Sequence, residues 1–155
     1  MWNIELPDLQ DTLALGHALG VVAGPGTIVG LSGDLGAGKT SFAQGVGTGL
    51  TIDQPIVSPT FVLMSEYPQG RLPLLHCDVY RLHPGECESI GLEETVDDWS
   101  GLVLVEWAEK VSEIFPADHL WVELKHLDGG RRATVRATGP AHEQIVMQWR
   151  ECFER

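Results

Sequence analysis

A chain of 155 residues can bury about 70% of its unfolded surface around one core. Its 43% hydrophobic and 21% charged residues belong to an ordinary globular protein and exclude a disordered, fibrous or membrane-embedded one. Ten Lys and Arg against 22 Asp and Glu leave a net charge of −12, which excludes a basic surface able to grip nucleic acid unaided.

Trp2-Asn3-Ile4-Glu5-Leu6 alternates as a half-buried strand does, and apolar periodicity from Leu9 to about Val22 predicts a helix opened by Pro7-Asp8 and closed by Gly24-Pro25-Gly26. Thr27 to Ser32 reads as a buried strand, followed by a glycine-rich turn and a helix from Lys39 to about Val46. Ile56 to Tyr67 reads as extended; Pro68-Gln69-Gly70-Arg71 turns it into Leu72 to Asp78, an antiparallel hairpin that argues against a purely parallel sheet. Residues 84–99 carry six acids (Glu86, Glu88, Glu93, Glu94, Asp97, Asp98) and no Lys or Arg, and are predicted as two short surface helices. Gly101 to Glu106 is the clearest central strand, with a helix over Val111 to Phe115 stopped by Pro116. Leu120 to His126 and Arg132 to Ala137 flank Asp128-Gly129-Gly130-Arg131 as a second hairpin, and Ile145, Trp149, Cys152 and Phe153 form one apolar stripe of a last helix. No repeat, linker or low-complexity tract divides residues 1–155, which predicts a single domain.

The three cysteines, Cys77, Cys87 and Cys152, form no C-x-x-C pair and suit a reducing cytoplasm better than a disulfide framework or a zinc site. No apolar run reaches the ~18 residues of a membrane span, and the first residues lack the basic start of a signal peptide, so no membrane partner is expected.

Gly33-Asp34-Leu35-Gly36-Ala37-Gly38-Lys39-Thr40 matches G-x-x-x-x-G-K-[ST] between a predicted strand and a predicted helix. Glycines let the backbone curl so that its N–H groups converge on phosphate oxygens, and the following helix N-terminus favours the anion. Lys39 would reach the β- and γ-phosphates, and the Thr40 hydroxyl would ligate Mg²⁺. The fold class expected is α/β: a P-loop NTPase-like domain with a mixed parallel and antiparallel sheet flanked by helices. Hydrolysis also needs a metal-side carboxylate, and Asp78 and Glu106 each end an apolar strand, where either reads equally as a solvated acid. Thr60, in Ser58-Pro59-Thr60, reads as a mobile-loop hydroxyl or a plain proline turn; Trp107 reads as a cover for a nucleotide or as core. His76 and Cys77 lack a second ligand pair, so strand packing is their expected role.

Taken together, the glycine loop, Ser58-Pro59-Thr60-Phe61, His76-Cys77-Asp78-Val79-Tyr80-Arg81-Leu82 and Val105-Glu106-Trp107-Ala108-Glu109 resemble, in order and spacing, the TsaE (YjeE) family of bacterial P-loop ATPases over nearly the whole chain. The resemblance implies ATP hydrolysis supporting synthesis of N6-threonylcarbamoyladenosine in tRNA, with TsaD and TsaB as partners and tRNA reached only through them. It implies phosphate contacts from Lys39 and the backbone of Leu35, Gly36, Ala37, Gly38 and Thr40, with Mg²⁺ facing Thr40 and Glu106. Thr60 and Asp78 would occupy switch-like elements, and Trp107 matches the family's functional tryptophan. A nucleotide pocket bordering the neighbourhoods of Leu9 and Gly130 is also implied. Ser41 replaces a frequent second threonine and keeps a hydroxyl; Ala108 stands where proline is common.

Two other readings use the same loop. A small-molecule kinase needs cations closing over the phosphoryl group, yet only three lysines are present (Lys39, Lys110, Lys125) and no basic lid is predicted. A nucleotide-gated binding module would use the acidic segment as a docking face. No arginine lies within or next to the loop in sequence, and Arg81 follows the Asp78 block, which predicts slow turnover without a partner's arginine.

Overall fold

Asp8 and Asp11 cap the first helix reciprocally: each backbone N–H donates to the other's carboxylate at 3.1 Å, so α1 (Leu9–Val22) starts and ends where periodicity predicts. The structure, a computed structural model, describes residues 1–34, 36–57, 64–83, 86 and 91–155. Its strands are β1 (Trp2–Leu6), β2 (Ile28–Ser32), β3 (Met64–Tyr67), β4 (Leu74–Asp78), β5 (Leu102–Glu106), β6 (Leu120–Leu127) and β7 (Gly130–Ala137). The further helices are α2 (Lys39–Gly49), α3 (Leu92–Asp98) and α4 (Pro140–Glu154), with a 3₁₀ segment over Ala108–Ile114 that is broken at Val111.

The seven strands form one sheet in the order β1-β7-β6-β2-β5-β4-β3. β6, β2, β5 and β4 run parallel, while β7 joins β6, β1 joins β7 and β3 joins β4 antiparallel. This is the mixed sheet the two hairpins predict. Both faces are covered where the strands are apolar throughout, so β5 sends Leu102 and Leu104 into one core and Val103 and Val105 into another. The first core lies under α1, α2 and α4 and contains Phe42, Leu15 and Trp149; the second lies under α3 and the 3₁₀ segment.

Within the described residues the first hairpin's leading strand covers Met64–Tyr67; residues 58–63 of the stretch expected to be extended from Ile56 lie outside the described residues, as does most of the first acidic helix expected in 84–99. α2 runs to Gly49, past the end expected at about Val46, because Gly47 and Gly49 are packing positions and not stops. A Cβ on Gly45 would stand 2.3 Å from the Leu13 carbonyl oxygen, and one on Gly49 2.2 Å from that of His17; a Cβ on Gly16 or Gly20 of α1 would in turn meet the α2 backbone at 2.3 or 2.4 Å. The two helices thus touch backbone to backbone. Arg71 ties the first hairpin to the end of α1, its Nη2 donating to the carbonyls of Gly20 and Ala23 at 2.6 Å each.

Candidate functional site

The loop after β2 crosses close to β6, and only glycine fits there: Gly33 has φ +145°, and a Cβ would lie 2.4 Å from the Leu124 carbonyl oxygen. Gly38, at φ +104°, is the N-cap of α2 and supplies no side-chain acceptor to its first turn, the end of a helix that favours an anion. Lys39 follows, 5% exposed; its Nζ donates to the carbonyls of Gly33 at 2.5 Å and Asp34 at 2.9 Å and sits 4.1 Å from the centre of the Trp107 ring. Burial pushes the Lys39 ammonium below its ordinary pKa against the opposing pull of Glu106, Glu109, Asp78 and Asp34.

Facing the loop, parallel pairing places Asp78 of β4 directly beside Glu106 of β5. Burial pushes the Asp78 carboxyl above its ordinary value and Glu106 adds to this, while the Tyr80 amide, donating at 3.0 Å, and the charge of Lys39 act the other way. Glu106 is 2% exposed and accepts from His76 Nε2 at 2.6 Å. Trp107 turns the chain in the left-handed region at φ +60°, a conformation that costs a non-glycine residue roughly 1–2 kcal/mol. Its ring packs 4.8 Å from that of Tyr80, and the Lys110 ammonium lies over the Tyr80 ring.

Gly36, Gly38, Lys39, Thr40, Ser41, Asp78, Glu106 and Trp107 line one cavity of about 320 Å³, joined by Tyr80 and Arg131. The structure therefore brings most of the expected residues to the carboxyl ends of β2, β4 and β5, where open α/β sheets hold ligands. Ala37 is buried in the core. Leu9 is half exposed at the start of α1 and Gly130 begins β7, and neither lines the cavity; Leu35 and Thr60 lie outside the described residues.

Two residues carry more than the sequence reading gave them. His76, expected as strand packing, is buried in β4 but also hydrogen-bonds Glu106. The arginine absent beside the loop in sequence arrives through the β6–β7 turn: Arg131 Nη2 donates to the Gly36 carbonyl at 3.2 Å, and its side chain passes 3.1 Å from where a Gly38 Cβ would be. A cation directly after the Gly129-Gly130 turn is the signal available. Among the described residues no group of three or more His, Cys, Asp or Glu could hold a metal alone. The hydroxyl and two carboxylates in the cavity, beside Lys39, instead suit a hard cation that shares its coordination with a phosphate.

A family profile described as "Threonylcarbamoyl adenosine biosynthesis protein TsaE" matches residues 6–134. The chain belongs to the TsaE family. A relative from Nostoc sp., named tRNA threonylcarbamoyladenosine biosynthesis protein TsaE, is 46% identical over 135 residues, covering 85% of this chain and 83% of its own. The Bacillus subtilis protein of the same name is 40% identical over 145 residues, 93% of this chain and 89% of its own. A crystal structure of Bacillus subtilis YdiB superposes with a TM-score of 0.77 at 32% identity, covering 97% of this chain and 93% of that one. The chain and YdiB thus share the α/β fold. No described helix is long and apolar enough to cross a membrane.

The raised pKa of Asp78 has a signed consequence for stability. In the native state the carboxyl binds its proton more tightly than in the unfolded chain, whose value is near 3.8. Stability therefore falls as pH rises from about 3.8 through the native pKa and stays reduced above it. Asp78→Asn keeps the acceptor for the Tyr80 amide and removes the buried charge, so it is expected to melt higher than the native chain at neutral pH. The gain should vanish in thermal melts below the unfolded pKa. Equal midpoints at neutral pH would show that burial does not disfavour the Asp78 charge.

Proposed function

We propose that this chain binds ATP with Mg²⁺ and hydrolyses it in support of N6-threonylcarbamoyladenosine formation on tRNA, acting in the cytoplasm with TsaD and TsaB. The observation that carries this reading is the convergence of Lys39, Thr40, Asp78, Glu106 and Arg131 on one cavity at the N-terminus of α2. The names of the TsaE relatives support the tRNA pathway. In this reading Lys39 and the loop amides bind the β- and γ-phosphates, and the Thr40 hydroxyl and Glu106 carboxylate hold the metal. Bound Mg²⁺ supplies neutralisation of charge on the phosphate oxygens. Asp78 orients groups beside Glu106, Trp107 closes one wall, and Thr60 is carried as a switch hydroxyl on the family resemblance.

Arg131 adds a cation but is engaged by the Gly36 carbonyl, so the reading leaves full transition-state compensation to a partner. A net charge of −12 likewise leaves tRNA contact to the partner complex. Phosphate release from Mg²⁺-ATP is expected to be slow with the chain alone and to rise at least about tenfold with TsaB and TsaD, since a supplied arginine can be worth roughly 10³–10⁵. The isolated chain should not retain tRNA at physiological salt. Tight tRNA binding by the chain alone, or turnover that partners leave unchanged, would count against this mechanism.

A further inference from the structure

His76 is fully buried, and among the described residues its Nδ1 has no hydrogen-bond partner while Nε2 lies 2.6 Å from Glu106 Oε2. On its sheet face Ser65 lies opposite on β3 and Asp78 two residues on, while Leu74 two residues back on β4 and Leu104, its cross-strand partner on β5, are its apolar neighbours. An aliphatic side chain would satisfy that packing, whereas an imidazole with one nitrogen orphaned is destabilising there. The residue is therefore better explained by what its other nitrogen does. A carboxylate oxygen can only accept, so Nε2 carries the proton and donates it to Oε2. An N–H at Nδ1 would be buried without an acceptor, which favours the tautomer with its proton on Nε2.

We propose that His76 is the positioning residue for Glu106, fixing the carboxylate so that Oε1 is the oxygen presented to the cavity and to Mg²⁺. The inference rests on the reading of Glu106 as a magnesium-facing carboxylate. The need for such a brace is visible in the register: Asp78 pairs directly with Glu106, and two acids side by side repel. Lys39, the cation of the same cavity, spends its recorded hydrogen bonds on the carbonyls of Gly33 and Asp34. Among the described residues, the hydrogen bond recorded to the Glu106 side chain comes from His76. Partners of this kind, one step behind a ligand, typically change metal affinity by about 10–100-fold when removed.

Reach separates this role from packing. The amide nitrogen of glutamine stands close to where imidazole Nε2 stands, while that of asparagine coincides with Nδ1 and stops short of Glu106. The test titrates Mg²⁺ into the intact chain with a fluorescent ATP analogue, alongside the affinity for the same analogue without metal and a thermal melt. For His76→Asn and His76→Leu, the Mg²⁺ needed for half-maximal effect should rise by about 10–100-fold, with metal-free affinity within roughly threefold of native. His76→Gln should restore the native Mg²⁺ requirement to within about threefold. Unchanged Mg²⁺ dependence in the asparagine and leucine variants would overturn the inference, as would loss of metal-free and metal-supported binding by the same factor in all three. If His76→Leu fails to fold, the asparagine and glutamine pair decides. A native chain whose affinity for the analogue ignores Mg²⁺ would instead overturn the reading of Glu106, and this inference with it.

Discussion

Lys39→Ala is expected to lower ATP turnover in the reconstituted system by at least about 10², the scale on which a single preorganised electrostatic group contributes to a transition state. Three features of the structure raise the effect above that of a surface lysine. The residue is largely buried and its ammonium is partly desolvated, so its charge is poorly replaced by water. It also closes the loop on itself through the carbonyls of Gly33 and Asp34, so alanine removes the brace along with the charge. Finally, it offsets the charges of Asp78 and Glu106, and without it the Asp78 carboxyl should bind its proton more tightly still. Nucleotide affinity should fall less than turnover, because the amides of α2 and Arg131 remain in the cavity. A split between the two, with kcat falling and the melting temperature held, identifies the charge. Turnover at the native rate by the Lys39→Ala chain would remove the glycine loop from the mechanism.

What could be read from the sequence follows how locally each feature is determined. The strand, glycine loop and helix from Ile28 to Lys39 are contiguous and carry their own signals, so motif and structure agree there. Asp78 and Glu106 were each legible as strand-end acids, but their pairing was not, since it depends on parallel register between strands separated by α3. The same register makes His76 a partner of Glu106 as well as a buried strand residue; a histidine one residue from a cysteine and two from an aspartate gives no hint of which neighbour it finds. Arg131 shows the strongest dependence on topology. It is 95 residues from Gly36 in sequence and reaches it only because β6 lies next to β2 and returns through the β6–β7 turn. α2 extends past its expected end near Val46 for a different reason: glycine is a poor helix former, and only tertiary contacts reveal that Gly47 admits the Ile56 side chain while Gly45 and Gly49 admit the backbone of α1.

That last point carries a prediction whose sign is opposite to helix propensity. Alanine is preferred over glycine inside a helix by about 0.8–1.0 kcal/mol, so Gly45→Ala considered on α2 alone should stabilise the chain. The added methyl would instead stand 2.3 Å from the Leu13 carbonyl oxygen, 3.0 Å from its carbon and 3.1 Å from the His17 nitrogen. All three are backbone atoms of α1, which no side-chain rotation can move aside. The helices must separate, and the packing of Phe42 and Leu15 in the core between them loosens with that shift. Overpacking of this kind costs typically 1–3 kcal/mol and more when backbones must move, which outweighs the propensity gain. For a chain of this size, each kcal/mol lowers the melting temperature by roughly 2–4 °C. Gly24→Ala is the matched control, since a Cβ there meets nothing within 4 Å, and its melting temperature should stay near native. The displacement should also be felt at the site, because α2 carries Lys39, Thr40 and Ser41 at the end that lines the cavity. Nucleotide affinity is therefore expected to fall in Gly45→Ala and not in Gly24→Ala. A Gly45→Ala chain that melts at or above the native temperature would mean that α1 and α2 do not meet through their backbones.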